Sequence, residues 1–258
     1  MRSRYVDIDD RMDDLTDRFR SDPELAAEFV EKYELSWLYH ENALEGVVYS
    51  PQELATALAA PTLADATFVT ALQEIRNHKV ALDLVRTEAA TKKLKVNLTL
   101  VRKLYDTLCA GMESKAAQDY RKDMPLHRAY FHEIAQPPKI QPLLAKLFEA
   151  CETADFKNAH PIQRGAKLHH TFMQIFPFTE HSGRIGRLLA NLMVFNAGYR
   201  VPCIIHATDR QRYYDSLRLP EATLRDLTLE AFDNALAQAE KFFAEAPPRS
   251  RRAGRRPA

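Results

Sequence analysis

The sequence predicts an all-α fold with a small β-hairpin flap, organised as one domain with helical additions. Glycine is scarce, with 7 residues in a chain of 258. Runs of alternating β-branched residues are nearly absent, and apolar residues recur at helical spacing over most of the chain. A chain of this length can also bury a sizeable core. These observations favour helices packed on helices over a sheet-based architecture.

The first third of the chain predicts a series of amphipathic helices. Residues 12–29 form one or two of them, and the apolar, aromatic stretch 35–44 continues to a stop at Gly46. Ser50 precedes a proline and stands three residues before Glu53, which is the pattern of a capped helix start. We therefore expect a new helix to begin at this point.

Apolar spacing predicts the remaining helices and one exception. The exception is the segment 120–134, which contains Pro125, aromatic residues and histidines but no helical stripe, and which is followed by a proline-containing loop. We predict that this segment is a strand pair acting as a flap. The predicted helices span residues 64–90, 100–108, 143–151, 161–175, 184–197 and 223–243.

Three regions are predicted along the chain: an N-terminal helical extension at 1–34, the main domain at 35–245 and a basic tail at 246–258. The tail carries five arginines among Pro, Ser, Gly and Ala, so it cannot bury apolar area and is expected to be disordered. Only this tail could touch nucleic acid or acidic partners.

The overall composition excludes several classes of protein. The formal net charge is +1, so no global field attracts nucleic acid or an anionic membrane. The three cysteines show neither zinc-site nor disulfide spacing, which favours buried thiols in a reducing compartment. No signal peptide is visible, and no run approaches the ~18 apolar residues of a membrane span. We expect a soluble protein in the cytoplasm, and its apolar helix faces are compatible with a monomer or a homodimer.

The stretch 176–187 is the part of the sequence that predicts chemistry. It lies between two predicted helices, and Gly183 would allow a ligand to approach the backbone closely. Arg184 and Arg187 are three residues apart, so both project from one face of the first helical turn. Cations are unfavourable at a helix N-terminus unless an anion is bound there. Exposed N–H groups and two guanidinium groups would together bind a polyphosphate, with Glu180 holding Mg²⁺. The alternative is a surface loop whose arginines are paired with nearby acidic residues.

The same stretch resembles the signature of the Fic (Fido-fold) family, His-Pro-Phe-x-Asp/Glu-Gly-Asn-Gly-Arg-x-x-Arg. The resemblance extends over roughly residues 35–217, because the preceding helix 169–175, the following helix 184–199 and the segment 120–128 also resemble family segments in the same order. The matching signature positions are Pro177, Phe178, Glu180, Gly183, Arg184 and Arg187.

The resemblance implies a nucleotide site and a reaction. In Fic proteins the phosphates of ATP lie on this loop, and AMP passes to a Ser, Thr or Tyr hydroxyl of a target protein. It implies that Glu180 binds Mg²⁺, that Ser182 and the backbone at Gly183 face the phosphates, and that the two arginines clamp them. It further implies that Tyr213 and Tyr214 lie near the adenine. A flap containing Pro125, Leu126, His127 and Arg128 would align the target side chain.

The sequence departs from the family signature at three positions. The family histidine that takes the proton from the target hydroxyl is Phe176 here, and the loss of a general base typically reduces the rate about 10²–10⁴-fold. The glycine after the acidic residue is His181, which would be strained if the position requires a positive φ. The asparagine is Ser182, which offers fewer hydrogen-bond donors to phosphate. His181 is also a conceivable substitute base, or a donor to phosphate.

The segment 41–46 resembles the inhibitory motif of Fic proteins, Ser/Thr-x-x-x-Glu-Gly/Asn. The resemblance implies that Glu45 pairs with Arg187 and excludes phosphate from the same guanidinium group. The Ser/Thr position is Glu41 here, which departs from the motif. The alternative is that Glu45 is a helix-end carboxylate in solvent.

The histidines outside the loop are expected to be structural or to lie at the surface. His169 and His170 are adjacent and would point about 100° apart on a helix, so they cannot share a metal ion. His40 and His78 are expected to be structural histidines with satisfied ring nitrogens. His132 lies in the predicted flap and is expected at the surface or against a target.

Three hypotheses about function follow. The first is a nucleotide-binding, autoinhibited Fic-like pseudoenzyme that transfers AMP slowly or not at all. The second is an active nucleotidyltransferase or AMP-removing enzyme that uses another base. The third is a non-catalytic interaction scaffold. The target protein is not identified by the sequence.

Overall fold

The computed structural model describes residues 2–59, 66–112, 119–125 and 132–246. Over these ranges the chain is mainly helical and contains no β-strand. The helices are α1 (Arg2–Ser21), α2 (Pro23–Leu44), α3 (Pro51–Ala59), α4 (Ala66–Ala89), α5 (Leu98–Cys109), α6 (Ile140–Glu152), α7 (Ala154–Asn158), α8 (Pro161–Ile175), α9 (Ser182–Asn196), α10 (Arg210–Arg218) and α11 (Glu221–Glu245).

Local capping signals explain where several helices begin. The Asp22 carboxylate accepts the N–H of Leu25 at the start of α2. The predicted capping box of α3 is confirmed, because the backbone N–H of Ser50 donates to Glu53 and the N–H of Glu53 donates to the Ser50 hydroxyl. The predicted bounds of α8 are also confirmed. The short helices α7 and α10 have no counterpart in the sequence prediction.

The helices α8 and α9 form the centre of the molecule. They pack against each other, α4 and α5 cover α9, and α6 and α11 cover α8. The centre is apolar and includes Phe172, Leu188 and Leu192, which are each at most 1% exposed. Because α9 is enclosed by neighbouring helices along its length, the loop that leads into it is held rigidly by the core.

The N-terminal helix α1 lies along α11. Arg4 donates to Asp233 at 2.7 Å, and Arg11 donates to Glu240 at 2.8 Å. The boundary predicted at residue 34 falls inside α2, which is one continuous helix. The division into an extension and a main domain stays a prediction. Within the stretches that the structure describes, no helix combines the length and apolarity that a membrane crossing requires.

The predicted β-hairpin flap is not supported by the described residues. The stretches 119–125 and 132–136 are irregular, and one backbone N–H of each bonds to the end of α8 or to the loop that follows it. Arg121 N–H donates to the carbonyl of Pro177 at 2.9 Å, and Ala135 N–H donates to that of Gln174 at 2.8 Å. Pro125 lies in the first stretch, whereas the predicted target-contacting residues Leu126, His127 and Arg128 lie outside the described residues.

Candidate active site and its relatives

The loop between α8 and α9 is bounded by two residues in the left-handed backbone region. Phe176 ends α8 with φ 47°, and His181 begins α9 with φ 64°. Side chains with a Cβ pay about 1–2 kcal/mol for this conformation, so both residues are held in place by their surroundings. From the sequence, His181 was expected to be strained if its position required a positive φ, and the structure shows the positive φ. Nothing in the sequence indicated a positive φ at Phe176.

The Ser182 side chain closes the loop upon itself. Its hydroxyl accepts the N–H of Phe178 at 2.9 Å and donates to the carbonyl of the same residue at 2.7 Å. The side chain is fully buried. The hydroxyl therefore serves the loop backbone in this conformation and is not directed outward as a phosphate ligand.

Arg121 fixes the C-terminal end of α8. Its guanidinium group donates to the carbonyl oxygens of Phe176 at 2.7 Å, Ile175 at 3.3 Å and Ala135. Burial lowers the pKa of Arg121, but the carbonyl oxygens at the end of a helix carry the partial negative charge that suits a cation. The segment predicted as a flap thus positions the start of the loop.

The side chain of Phe176 lies in an apolar cluster. It is 1% exposed and belongs to the same cluster as Leu44, Met173 and Tyr213. The His132 ring lies 6.4 Å from the Phe176 ring and bonds through Nε2 to the Met173 carbonyl at 2.9 Å. His132 is buried, so the prediction of a surface position for it is wrong. At position 176 the chain offers apolar surface and no lone pair.

Arg187 is enclosed by two carboxylates from α2. Its Nε donates to Glu41 Oε2 at 2.6 Å, its Nη2 donates to Glu45 Oε1 at 2.8 Å, and its Nη1 donates to the Tyr213 hydroxyl at 3.3 Å. Burial alone would lower the pKa of Arg187, but the nearby oxygen groups, Glu41 foremost, outweigh it and raise that pKa well above its usual value. The expected contact between Glu45 and Arg187 is therefore present, with a second carboxylate that the sequence did not predict.

Glu45 also lies directly over the N-terminus of α9. A Cβ placed on Gly183 would come within 2.5 Å of Glu45 Oε1, so only glycine leaves room for the carboxylate here. The start of a helix attracts anions through its unpaired N–H groups and its dipole. The Glu45 carboxylate is therefore an anion placed where the start of a helix favours negative charge.

Arg184 is held by groups from α2, α4 and its own loop. Its Nη2 donates to Asn42 Oδ1 at 2.8 Å, and its Nη1 lies 3.3 Å from Glu74 Oε1 and 3.1 Å from His181 Nδ1. Because a guanidinium group can only donate, His181 Nδ1 accepts, and the ring proton is on Nε2. This use of Nδ1 argues against His181 as a substitute base through that nitrogen.

The predicted nucleotide-side tyrosines are both buried. The Tyr213 hydroxyl bonds to His169 Nε2 at 3.0 Å, and the Tyr214 hydroxyl donates to the Leu44 carbonyl at 3.0 Å. The Tyr213 ring also packs against Arg187, whose guanidinium carbon lies 5.6 Å from the ring centroid. In this conformation both tyrosines contact protein groups, and their place beside the adenine stays a prediction.

Glu180 is the exposed member of the predicted site. No cluster of three or more His, Cys, Asp or Glu side chains in the described ranges could hold a metal ion. A single carboxylate is nevertheless compatible with Mg²⁺, which is commonly bound by one or two carboxylates together with substrate phosphates and water. Glu180 fits such a shared ion and does not form a site by itself.

A cavity of about 460 Å³ lies on the flap side of the loop. It is lined by residues 119–123, Pro125 and Thr179. Thr179 belongs to the loop, so the cavity connects the flap segment with the candidate site. Its lining is charged at Asp119, Lys122 and Asp123.

Sequence reasoning missed four residues that hold the two arginines or the loop: Glu41, Asn42, Glu74 and Arg121. Glu41 could have been found, because it stands four residues before Glu45 and therefore on the same face of α2. Glu74 and Arg121 come from segments far away in the chain, and no local pattern indicates their role.

Residues 95–194, which include α5 and most of α9, match the model of the Fic/DOC family. The chain is 25% identical over 218 residues to a protein adenylyltransferase Fic of Drosophila grimshawi and 24% identical over 217 residues to that of Culex quinquefasciatus. These matches cover 84% of this chain but 44% and 42% of the relatives, so the chain spans less than half their length.

Solved structures show the same fold. A Fic domain containing signaling protein from Bacteroides thetaiotaomicron aligns with a TM-score of 0.79 and 21% identity, over 92% of this chain and 100% of that chain. Fic-1 from C. elegans aligns with a TM-score of 0.73 and 18% identity, over 94% of this chain and 71% of that chain. The matched segment, the relatives and the shared helical fold together support a protein of the Fic/DOC family, with the family match itself confined to residues 95–194.

Proposed function

We propose that this protein binds a nucleotide at the loop 176–187 and that Glu45 controls access to it. One observation carries the proposal: the Glu45 carboxylate bonds to Arg187 at 2.8 Å and lies against Gly183, at the start of α9. A phosphate group and this carboxylate would compete for the same guanidinium group and the same helix N-terminus. The relatives named as adenylyltransferases support ATP with Mg²⁺ as the ligand to test first.

Transfer of AMP to a Ser, Thr or Tyr hydroxyl of a target protein is the family reaction, and we propose that it is slow here. A hydroxyl is a weak nucleophile near neutral pH and needs a base within hydrogen-bond reach. Phe176 stands at the position of the family base, inside an apolar cluster. The chain would retain the positioning of the phosphates and lose the proton transfer, as expected of a pseudoenzyme.

The test is thermal unfolding of the native chain and of Glu45→Gly, with and without nucleotide and Mg²⁺. A ligand at 100 times its Kd adds about 2.7 kcal/mol, or roughly 2–4 °C in Tm for a chain of this size. We expect this shift for Glu45→Gly and little shift for the native chain, because removing the carboxylate frees Arg187 and the start of α9.

Glu180→Gln in the Glu45→Gly background is the matched control for the metal. It removes one exposed charge from the loop without touching the buried contacts, and it should reduce the Mg²⁺-dependent part of the shift. If AMP, ADP and ATP all leave the Tm of both chains unchanged, the nucleotide site does not exist.

A further inference from the structure

The two carboxylates that bind Arg187 differ in how easily they can move away from it. Glu45 caps the C-terminal end of α2, its side chain is 21% exposed, and Gly46 follows it with φ 91°. Glu41 lies one helical turn earlier and is 2% exposed. Its Oε2 accepts from Arg187 at 2.6 Å, and its Oε1 accepts the indole N–H of Trp37 at 3.4 Å. Glu45 can swing away by moving at the helix end, whereas Glu41 is fixed inside the helix body.

Release of Glu45 therefore does not give Arg187 a free positive charge. Glu41 remains paired with the Nε edge of that guanidinium group, and a buried partner cannot leave without a large desolvation cost to both charges. The same holds for Arg184, because buried Glu74 from α4 stays 3.3 Å from its Nη1. Both arginines of the loop are thus compensated by carboxylates that belong to the core of the fold.

The histidines that lie near Arg184 and Arg187 add no positive charge to the site. His181 accepts from Arg184 through Nδ1, which is incompatible with a proton on that nitrogen. Burial, followed by the charges of Arg184 and Arg187, lowers the pKa of His78 well below its usual value. Burial and then Arg187 do the same to the pKa of His169. The rings of His78 and His169 are therefore expected to be neutral near pH 7.

The positive potential that remains comes from the start of α9. A helix N-terminus corresponds to roughly half an elementary charge and offers a few N–H donors, which suits one phosphate group. Every further phosphate would lie beside arginines whose charge Glu41 and Glu74 already neutralise, so it would gain little attraction to offset the loss of its hydration in a partly dehydrated site. The inhibitory motif that this segment resembles has a neutral Ser or Thr where this chain has Glu41.

We infer that this site takes nucleoside monophosphates and diphosphates at least as well as triphosphates, and that the buried carboxylates of Glu41 and Glu74 set this preference. The inference rests on the proposed nucleotide site and specifies its ligand class. It gives a second physical reason for slow AMP transfer, because the triphosphate donor of that reaction is the ligand that these carboxylates disfavour.

The experiment is isothermal titration calorimetry of Glu45→Gly with AMP, ADP and ATP, first without and then with Mg²⁺. Without Mg²⁺ we expect the Kd for ATP to equal or exceed the Kd for AMP. The double variant Glu45→Gly with Glu41→Gln should improve ATP binding relative to AMP by about tenfold or more, because the fixed carboxylate charge is gone. Glu31→Gln, an exposed glutamate on the same helix, is the matched control and should leave the ratio unchanged.

A second variant tests the same inference in case the first double variant does not fold. Glu41→Gln together with Glu45→Gly leaves Arg187 buried without a carboxylate, which is a severe change. Glu74→Gln in the Glu45→Gly background removes the fixed charge beside Arg184 instead, and should raise the ATP preference in the same direction. Tm and far-UV circular dichroism show which variants are folded.

The possible results separate the two proposals. If Glu45→Gly binds ATP about tenfold or more tightly than AMP without Mg²⁺, the inference about the two buried carboxylates is overturned while the proposed nucleotide site stands. If Glu41→Gln and Glu74→Gln both fold and leave the ATP to AMP ratio unchanged, the inference is likewise overturned. If no variant binds any of the three nucleotides, the proposed function fails and the inference fails with it.

Discussion

Two side chains in the left-handed backbone region frame the candidate site at the residue scale. His is among the residues that tolerate this conformation best, whereas a bulky apolar residue such as Phe adopts it rarely. Phe176 nevertheless does so with φ 47°, because its ring is buried in the cluster with Leu44 and Met173. The backbone at position 176 therefore suits histidine at least as well as the residue that is present.

This gives a prediction for the chemistry. In the Glu45→Gly background, Phe176→His should increase transfer of label from α-labelled ATP to protein about 10²-fold or more, because a general base is supplied. Both chains are compared at saturating ATP, so that a change in ATP affinity caused by the substitution does not enter the ratio. Phe176→Asn is the matched control, since asparagine also tolerates a positive φ but is no base.

The opposite result would favour the second hypothesis. If the chain with Phe176 already transfers label as fast as the histidine variant, another group acts as the base, and the protein is an active transferase. Scintillation counting of labelled protein after gel separation distinguishes these outcomes.

At the scale of elements, the end of α8 depends on a segment that is distant in sequence. Arg121 supplies donors to carbonyls at 135, 175 and 176, so that the last turn of α8 and the flap segment are joined through one guanidinium group. The loop begins immediately after this junction. The position of Phe176 is thus fixed by Arg121 as well as by its own apolar contacts.

We predict that Arg121→Ala lowers the free energy of unfolding by about 1.5–3 kcal/mol, because hydrogen bonds to a buried charged group are lost. Arg121→Lys should recover only part of this, since an ammonium group is compact and cannot reach three carbonyls as the planar fork does. Urea denaturation measures both. The exposed neighbour Lys122→Ala should stay within about 0.5 kcal/mol of the native chain, and an equally small effect of Arg121→Ala would refute the role of the clamp.

At the scale of the whole molecule, the interior contains histidines that are held neutral. His78 is fully buried on α4, and neither ring nitrogen has a hydrogen-bond partner among the described residues. The prediction that the ring nitrogens of His78 are hydrogen-bonded is therefore wrong as far as the described residues show. Burial and the neighbouring His206 lower the pKa of His40 to about 4, while its Nδ1 accepts the N–H of Ala207.

The lowered pKa values of these histidines set the direction in which the free energy of unfolding depends on pH. Because the pKa values of His40, His78 and His169 are lowered in the folded state, the unfolded chain binds more protons below about pH 6.5. The free energy of unfolding should therefore fall as pH decreases below that value, by up to about 1.4 kcal/mol per pH unit for each proton. The stability that these groups contribute is fully present above pH 6.5.

Urea denaturation between pH 7.5 and pH 5 in roughly half-unit steps would measure this slope. His78→Leu removes one of the protons, so its slope should be smaller by about 1.4 kcal/mol per pH unit. An unchanged slope in this variant would mean that the folded state accommodates a protonated His78.

Local signals such as helix caps could be read from the sequence, whereas contacts between distant segments could not. The start of α3 at Ser50 and the end of α2 before Gly46 were predictable, because capping is decided within four residues. The described parts of the segment 120–134, residues 120–125 and 132–134, were correctly predicted as non-helical. The absence of a helical stripe does not distinguish a strand from irregular backbone held by another element. The pairing of Arg184 with Glu74 joins residues 110 positions apart, and only the packing of α4 on α9 brings them together.

The indole N–H of Trp37 bonds to Glu41, and Trp37 is the single tryptophan of the chain. The ring is fully buried, so its emission depends on the fixed charges around it and hardly on solvent. Any change in the charge next to Glu41, including the departure of Glu45 from Arg187, alters the electric field at this chromophore. The protein thus contains an intrinsic optical reporter one helical turn from its candidate site, and opening of the site can be followed in time on the unlabelled, native chain.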